Sequence, residues 1–428
     1  MFKVLVIAYY FPPMGLSGVQ RTAKFVKYFK NYNWNPTVIT TGSIAYFAHD
    51  NSLQEEIDKT GVRIIRTKGT EPNSLLSKYG TIKIPGEFFR KLFNRISQSI
   101  FVPDNKSSWA NKAFETASEL LSKEDFDIIF VSIPPFSSFR MAAKLKRKFN
   151  IPLFVDYRDL WFGNQFAFYP TPFHKYLNKK MEYNSLRRAD SIIVTNRKIK
   201  ERLINYYQFL TFEDVYIIPH GFDPEDFKNI QIEKKPNNKM IITYSGIFYE
   251  TITPQYFLKA FKRITHERPD IAANIKLNFI GFLRKENRKL ITKLNLQEFI
   301  SDFGYLPHKE ALAKVMLSDV LWMMVGRGRN DSTISSGKLF EYFGTRKPII
   351  ASVPEGALKS AAESYGASFI TRPDNIEEIK NTIIKVYELY IRKELPVPDE
   401  NFILQHGRDH LTEILTKQFQ NFVKEEIV

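Results

Sequence analysis

Ser335-Ser336-Gly337-Lys338-Leu339-Phe340-Glu341-Tyr342-Phe343-Gly344-Thr345-Arg346-Lys347-Pro348-Ile349-Ile350 reads as a short helix between two glycines that runs into an apolar strand. Gly337 opens the helix, Gly344 ends it, and Pro348 starts the strand. A helix feeding a buried strand through so short a turn belongs to an α/β chain. Lys338 and Glu341 lie one turn apart on one side of this helix. Helix N-termini offer unpaired N–H groups and a partial positive charge, which suit a phosphate. Lys338 adds a full charge there, and Glu341 is spaced to accept hydrogen bonds from a ribose. The expectation is a nucleotide-diphosphate site of the sugar-nucleotide kind.

Outward from this block, strand-like and helical runs alternate through the whole chain, which predicts parallel sheets. In the first half strands are expected at Val4–Ala8, Thr37–Thr40, Arg63–Arg66, Asp127–Ser132, Leu153–Asp156, Ser191–Thr195 and Val215–Ile218. In the second half they are expected at Met240–Tyr244, Lys276–Ile280, Val320–Val325, Pro348–Ser352 and Ser368–Ile370. Most are continuous apolar runs, as strands covered on both faces should be. The 428 residues exceed one ordinary core. The predicted fold is α/β: two Rossmann-like doubly wound domains facing across a cleft, over 1–225 and 226–405, with the polar run Lys228–Lys239 as linker.

Charge is unevenly placed. Residues 1–218 hold 32 Lys+Arg against 19 Asp+Glu, whereas residues 219–428 hold 30 against 27. The first half therefore carries nearly all of the +16 excess, which points to an anionic partner or to a lysine-rich solvated surface. Zero cysteines exclude disulfides and thiolate chemistry. No apolar run approaches the roughly 20 residues needed to span a bilayer, and Met1–Ile7 reads as a first strand and not as a signal peptide. A cytoplasmic location is expected.

One segment breaks the alternation. Between Ile84 and Val102, Phe88, Phe89, Leu92, Phe93, Ile96 and Ile100 recur at helical spacing, with Arg90, Lys91 and Arg95 among them. Such a helix either lies in a membrane interface or buries its apolar face in the core. The basic first half favours an anionic membrane surface, met peripherally on the inner face of the plasma membrane.

Several strand-to-helix loops bear chemistry, and in doubly wound sheets these loops meet the ligand. Gly15 and Gly18 lie in Tyr10-Phe11-Pro12-Pro13-Met14-Gly15-Leu16-Ser17-Gly18, with Arg21 just beyond. Their spacing does not match the dinucleotide fingerprint G-x-G-x-x-G. Asp156, Arg158, Asp159 and Trp161 end another strand, where carboxylates, a guanidinium and a stacking face suit sugar hydroxyls. An internal Asp–Arg pair fixing the loop is the alternative. Ser137, in Ser132–Ser138, falls at a predicted N-cap. Gly246 follows the first strand of the second half, and Arg327 and Arg329 sit on a glycine loop able to close over a diphosphate. Asp125-Phe126-Asp127 enters a strand and is not taken as a metal site. Histidines show no metal-ligand spacing, and no nucleic-acid-binding module is evident.

In order and spacing these loops resemble the family-4 retaining glycosyltransferases of the GT-B fold, in particular bacterial members that build cell-surface polysaccharides. Val102-Pro103-Asp104 with Trp109, Ile218-Pro219-His220-Gly221-Phe222-Asp223 and the Gly337–Pro348 block also carry the likeness. The resemblance implies metal-independent transfer of a hexosyl group, without a cofactor, from a nucleotide-sugar donor to a lipid-linked saccharide acceptor in capsule, O-antigen or exopolysaccharide synthesis. It implies that Glu341 meets the donor ribose, that Lys338 and the backbone around Ser336, Gly337 and Leu339 hold the diphosphate, and that Gly15, Gly18 and Gly246 approach the donor. Asp159 or Arg158 should face the reacting sugar, with Arg21, Ser137, Asp156 and Trp161 on the acceptor side. The segment 406–428 should return to the first domain. Thr333 stands where the family pattern has the first of two glutamates, and Arg327, Arg329 or Arg284 would replace basic residues missing from 247–254. A nucleotide-sugar epimerase and a catalytically inactive assembly scaffold are the competing expectations.

Overall fold

The computed structural model describes residues 1–428 except 76–79, 82–84, 229, 234, 236, 237 and 426–428. Ile84, parts of the expected linker and the end of the 406–428 segment thus lie outside the described residues. The chain forms two compact units, Met1–His220 with Arg408–Val428, and Gly221–Gly407.

The first unit is built on a parallel sheet of β1 (Phe2–Ile7), β2 (Trp34–Thr41), β3 (Arg63–Thr67), β4 (Ile128–Ile133), β5 (Leu153–Tyr157), β6 (Ser191–Val194) and β7 (Val215–Ile217). Their order is β3-β2-β1-β4-β5-β6-β7. The second unit holds β8 (Met240–Ser245), β9 (Ile275–Ile280), β10 (Ile300–Asp302), β11 (Val320–Met324), β12 (Ile349–Ser352) and β13 (Ser368–Thr371). Here the order is β10-β9-β8-β11-β12-β13, also parallel. Each sheet therefore starts in its middle and reverses direction between its first and fourth strands, the place where such folds bind ligands. The apolar runs account for this. Residues 128–133 of β4 and 320–324 of β11 are buried throughout, as helices on both sheet faces require.

The expected strands form, with ends shifted by up to three residues (β2 starts at Trp34, not Thr37), and β10 is added. It is three residues long, Ile300-Ser301-Asp302, with one apolar side chain and none buried, so it carries too little apolar signal to be read as a strand. Helix Arg408–Glu425 packs on the first unit, where Phe419 meets Trp34 at 5.1 Å and Phe154 at 4.8 Å. The chain changes units at 220/221 and 407/408, and the polar run read as a linker belongs to the second unit. Lys235 there bonds Asp319 at 2.6 Å and the Tyr390 hydroxyl at 2.9 Å.

The amphipathic segment forms helix Glu87–Ile100, and none of its residues is buried. Phe88 is 74% exposed and Phe93 59%. Core burial, one of the two expectations for this helix, is thereby removed. Among the described residues no helix is long and apolar enough to cross a membrane.

Candidate functional site

In the second unit, the turn after β8 and the start of helix Gly337–Thr345 come together. Lys338 is half-buried and donates from Nζ to the Tyr244 hydroxyl at 2.9 Å, with the ammonium 4.0 Å from that ring's centre. Tyr244 is itself fixed by stacking on Phe248, 4.1 Å between ring centres. Gly246 stands directly against this lysine. Its φ is 140°, and a Cβ there would collide with Lys338 Nζ and Cε. Gly281, φ 115°, follows β9 and would meet the Gly246 carbonyl in the same way. Only glycines let these loops pack so closely around the lysine.

Burial lowers the Lys338 ammonium to about 7, while Glu341 acts in the opposite sense. The Ser336 side chain makes no capping bond, so the first-turn N–H groups of helix 337–345 have no side-chain cap. The site thus combines a tunable cation, a helix N-terminus and close-approaching backbone, a set suited to a multiply charged anion. Glu341 bonds His308 Nε2 in a short contact, and His308 Nδ1 lies 3.9 Å from Asp226. His308 was not foreseen: it is far from Glu341 in sequence, and no spacing links the two. Thr333 ends a short helical turn, its hydroxyl bonded to the Asn330 carbonyl at 2.8 Å. Arg327 is exposed and lies 3.7 Å from Asp374, lining a shallow groove with Arg263 and Arg372. Arg329 is exposed on the same loop.

The first unit treats its expected ligands differently. Arg21 and Asp156 are 1% and 0% exposed and form an internal pair. Arg21 Nε reaches Asp156 at 2.9 Å, and its remaining nitrogens donate to the carbonyls of Pro219 at 2.6 Å and Ile218 at 2.9 Å. Ser132 donates to Asp156 at 3.0 Å. These two residues are corrected from acceptor ligands to a structural clamp, because their polar atoms are spent inside the unit. Arg158 is corrected likewise. It is buried, and it donates to the carbonyls of Ile133 and Pro134, each at 3.1 Å, and to that of Gly18 in a short contact. Ser137 does not cap its helix; its N–H and hydroxyl both donate to Asp104, at 2.9 and 2.8 Å. Gly15 N–H donates to the Ala48 carbonyl at 2.9 Å.

Asp159 and Trp161 keep a place on a cavity. They line a hollow of about 380 Å³ with Tyr10, Asp104, Phe136 and Gln98. Trp161 is stacked on Phe136, 5.1 Å between centres, and its indole N–H donates to Asn178 at 3.0 Å. The surrounding protein raises the Asp159 carboxyl, as does Asp156 more weakly, against the lowering effect of Arg158. Aromatic faces, amides and carboxylates are the chemistry that holds sugar hydroxyls. Behind the wall, burial lifts Glu182 to about 7 although it accepts from the Tyr157 and Tyr207 hydroxyls.

Residues 81–226 match the model of Glycosyltransferase Family 4, so this part of the chain is similar to that family. No curated protein matches it in sequence. Among solved structures, a glycosyltransferase from Rickettsia africae ESF-5 is similar over 99% of each chain, with 16% identity and a TM-score of 0.64. Anabaena Alr3699/HepE in complex with UDP-glucose covers 100% of this chain and 99% of its own, at 13% identity and TM-score 0.59. A UDP-N-acetylglucosamine 2-epimerase covers 97% and 95%, at 14% identity and TM-score 0.56. These likenesses establish the two-domain α/β fold as GT-B.

Proposed function

We propose that this chain is a retaining, metal-independent glycosyltransferase that moves a hexosyl group from a nucleotide-diphosphate sugar to a lipid-linked saccharide, in bacterial surface-polysaccharide synthesis. The observation that carries the donor half is Lys338, set at an uncapped helix N-terminus against Gly246. In the proposed reaction the acceptor hydroxyl oxygen bonds the sugar's anomeric carbon as the carbon–oxygen bond to the diphosphate breaks. The electron pair leaves on the diphosphate, whose oxygen takes the acceptor's proton. Lys338 and the first-turn N–H groups stabilise that developing charge. Glu341, oriented by His308, receives the ribose hydroxyls. Asp159 and Trp161 receive the acceptor sugar in their cavity. Helix 87–100 rests on the anionic inner face of the plasma membrane, where the carrier lipid lies.

The decisive experiment offers UDP-, GDP- and other nucleotide sugars with lipid-linked acceptors and follows products by mass spectrometry. Transfer with retained anomeric configuration supports the proposal. The epimerase fold-relative favours a second reading, which predicts conversion of the donor sugar without any acceptor. Donor binding without turnover would instead indicate an inactive scaffold, the reading that Thr333 motivates.

A further inference from the structure

Helix Pro172–Leu186 is arranged inside out. Its buried residues are Asn178, Glu182, Ser185 and Leu186, three of the four polar, while Phe173, Tyr176 and Tyr183 face outward at 63%, 57% and 37% exposure. A surface helix packed only on its own domain shows the opposite pattern. Phe173, Tyr176, Lys180, Tyr183 and Arg187 follow one another at three- and four-residue spacing, so they form one stripe. Lys180 lies over Tyr176 at 5.5 Å and Arg187 over Tyr183 at 5.9 Å. The helix's one acid, Glu182, is buried, so the outward face carries no carboxylate.

The far end of this stripe opens into a groove of about 670 Å³ shared with helix Phe136–Phe149. Arg140, Lys144, Arg147, Arg187 and Arg188 line it, and among the described residues no carboxylate does. The near end touches the exposed amphipathic helix: His174 Nε2 is 3.2 Å from the Ser99 carbonyl, and Arg95 lies 5.4 Å from the Phe168 ring.

We infer that helix 172–186 is a second membrane contact, whose groove receives the phosphate headgroups of anionic lipids. The inference rests on the reading that helix 87–100 lies in a bilayer interface. Aromatic rings beside cations suit the headgroup layer, where the ring body enters the interface and the charge stays at the phosphates. A groove of cations without acids supplies the charge complement of that surface, whereas a protein partner would be met equally well by a mixed surface.

The test is co-sedimentation of the full chain with vesicles of neutral phosphatidylcholine, with or without an anionic phospholipid. Three variants are compared: Arg140→Glu/Arg147→Glu/Arg188→Glu, Phe173→Ser/Tyr176→Ser, and Phe88→Ser/Phe93→Ser. At roughly fivefold per surface cation lost, with reversal to glutamate adding repulsion, the groove variant should bind anionic vesicles at least about a hundredfold more weakly. It should keep wild-type melting and wild-type turnover of a water-soluble acceptor. Unchanged anionic dependence in the groove and 173/176 variants, with binding lost only on changing 88 and 93, overturns this inference and spares the other helix. Wild-type indifference to all vesicles overturns both membrane readings but leaves donor turnover, measured in solution, untouched. Inorganic pyrophosphate or an oligonucleotide held in the groove with wild-type vesicle binding intact also overturns it, in favour of a soluble ligand.

Discussion

Helices 136–149 and 337–345 follow the fourth strand of sheets with the same order, yet the two units use this position in opposite ways. In the first unit the helix start is occupied by the chain's own carboxylate, Asp104, and the nearby guanidiniums of Arg21 and Arg158 are turned onto carbonyls and Asp156. In the second unit, among the described residues, no side chain caps the helix, and the local cation is a lysine resting on one tyrosine. An arginine offers five donors in a rigid fork, so several backbone acceptors can consume it. A lysine with one hydroxyl partner keeps donors for a ligand. The same order over the first six strands thus yields one sealed corner and one whose chemistry suits an anion.

The sharpest way to break this contrast is to cut the sealed corner. Asp156→Ala leaves the Arg21 charge buried without its partner and should cost about 3–5 kcal/mol. Urea unfolding measures it, and a loss below about 1 kcal/mol would contradict an internal clamp. Lys338→Met should do the reverse, lowering turnover by roughly 10²-fold with stability within about 0.5 kcal/mol of wild type. Steady-state kinetics beside a melting curve distinguishes the two cases.

A third measurement concerns pH. Burial holds the free Lys338 ammonium near about 7, and a diphosphate beside it favours the charged form, raising the bound value. Below the free value the lysine is charged in both states, so donor affinity is flat. Above it, binding must take up a proton, and affinity falls by up to about tenfold per pH unit. Calorimetric titration of the donor from pH 6 to 9 should show this break near about 7, and Lys338→Met should remove it. The smallest effect is expected at the capped helix: Asp104→Ala should destabilise by about 1 kcal/mol in thermal unfolding, without changing donor affinity.

Much of this was legible in the residues. Continuous apolar runs gave the strands, and Gly337 marked a helix start that the fold sets in the segment after β11; Gly344, read as the end of that helix, lies inside it, and Arg346 in the left-handed region closes it. The internal role of Arg21 was not legible, because its partner Asp156 sits 135 positions away. A side chain at a strand end can point to the ligand or to the neighbouring loop, and sequence does not fix which. His308 was hidden for the same reason: its contact with Glu341 is made by folding alone. Ser137 illustrates a third limit, since a hydroxyl at a helix start signals capping even where a carboxylate from another loop does that work.

Helix 87–100 hides none of its residues from solvent, which separates its composition from the requirement to fold. Substitutions along its outer side escape the usual packing penalty, so drift there is nearly unconstrained by thermostability. Sequence change can therefore collect on this helix while both sheets stay as they are.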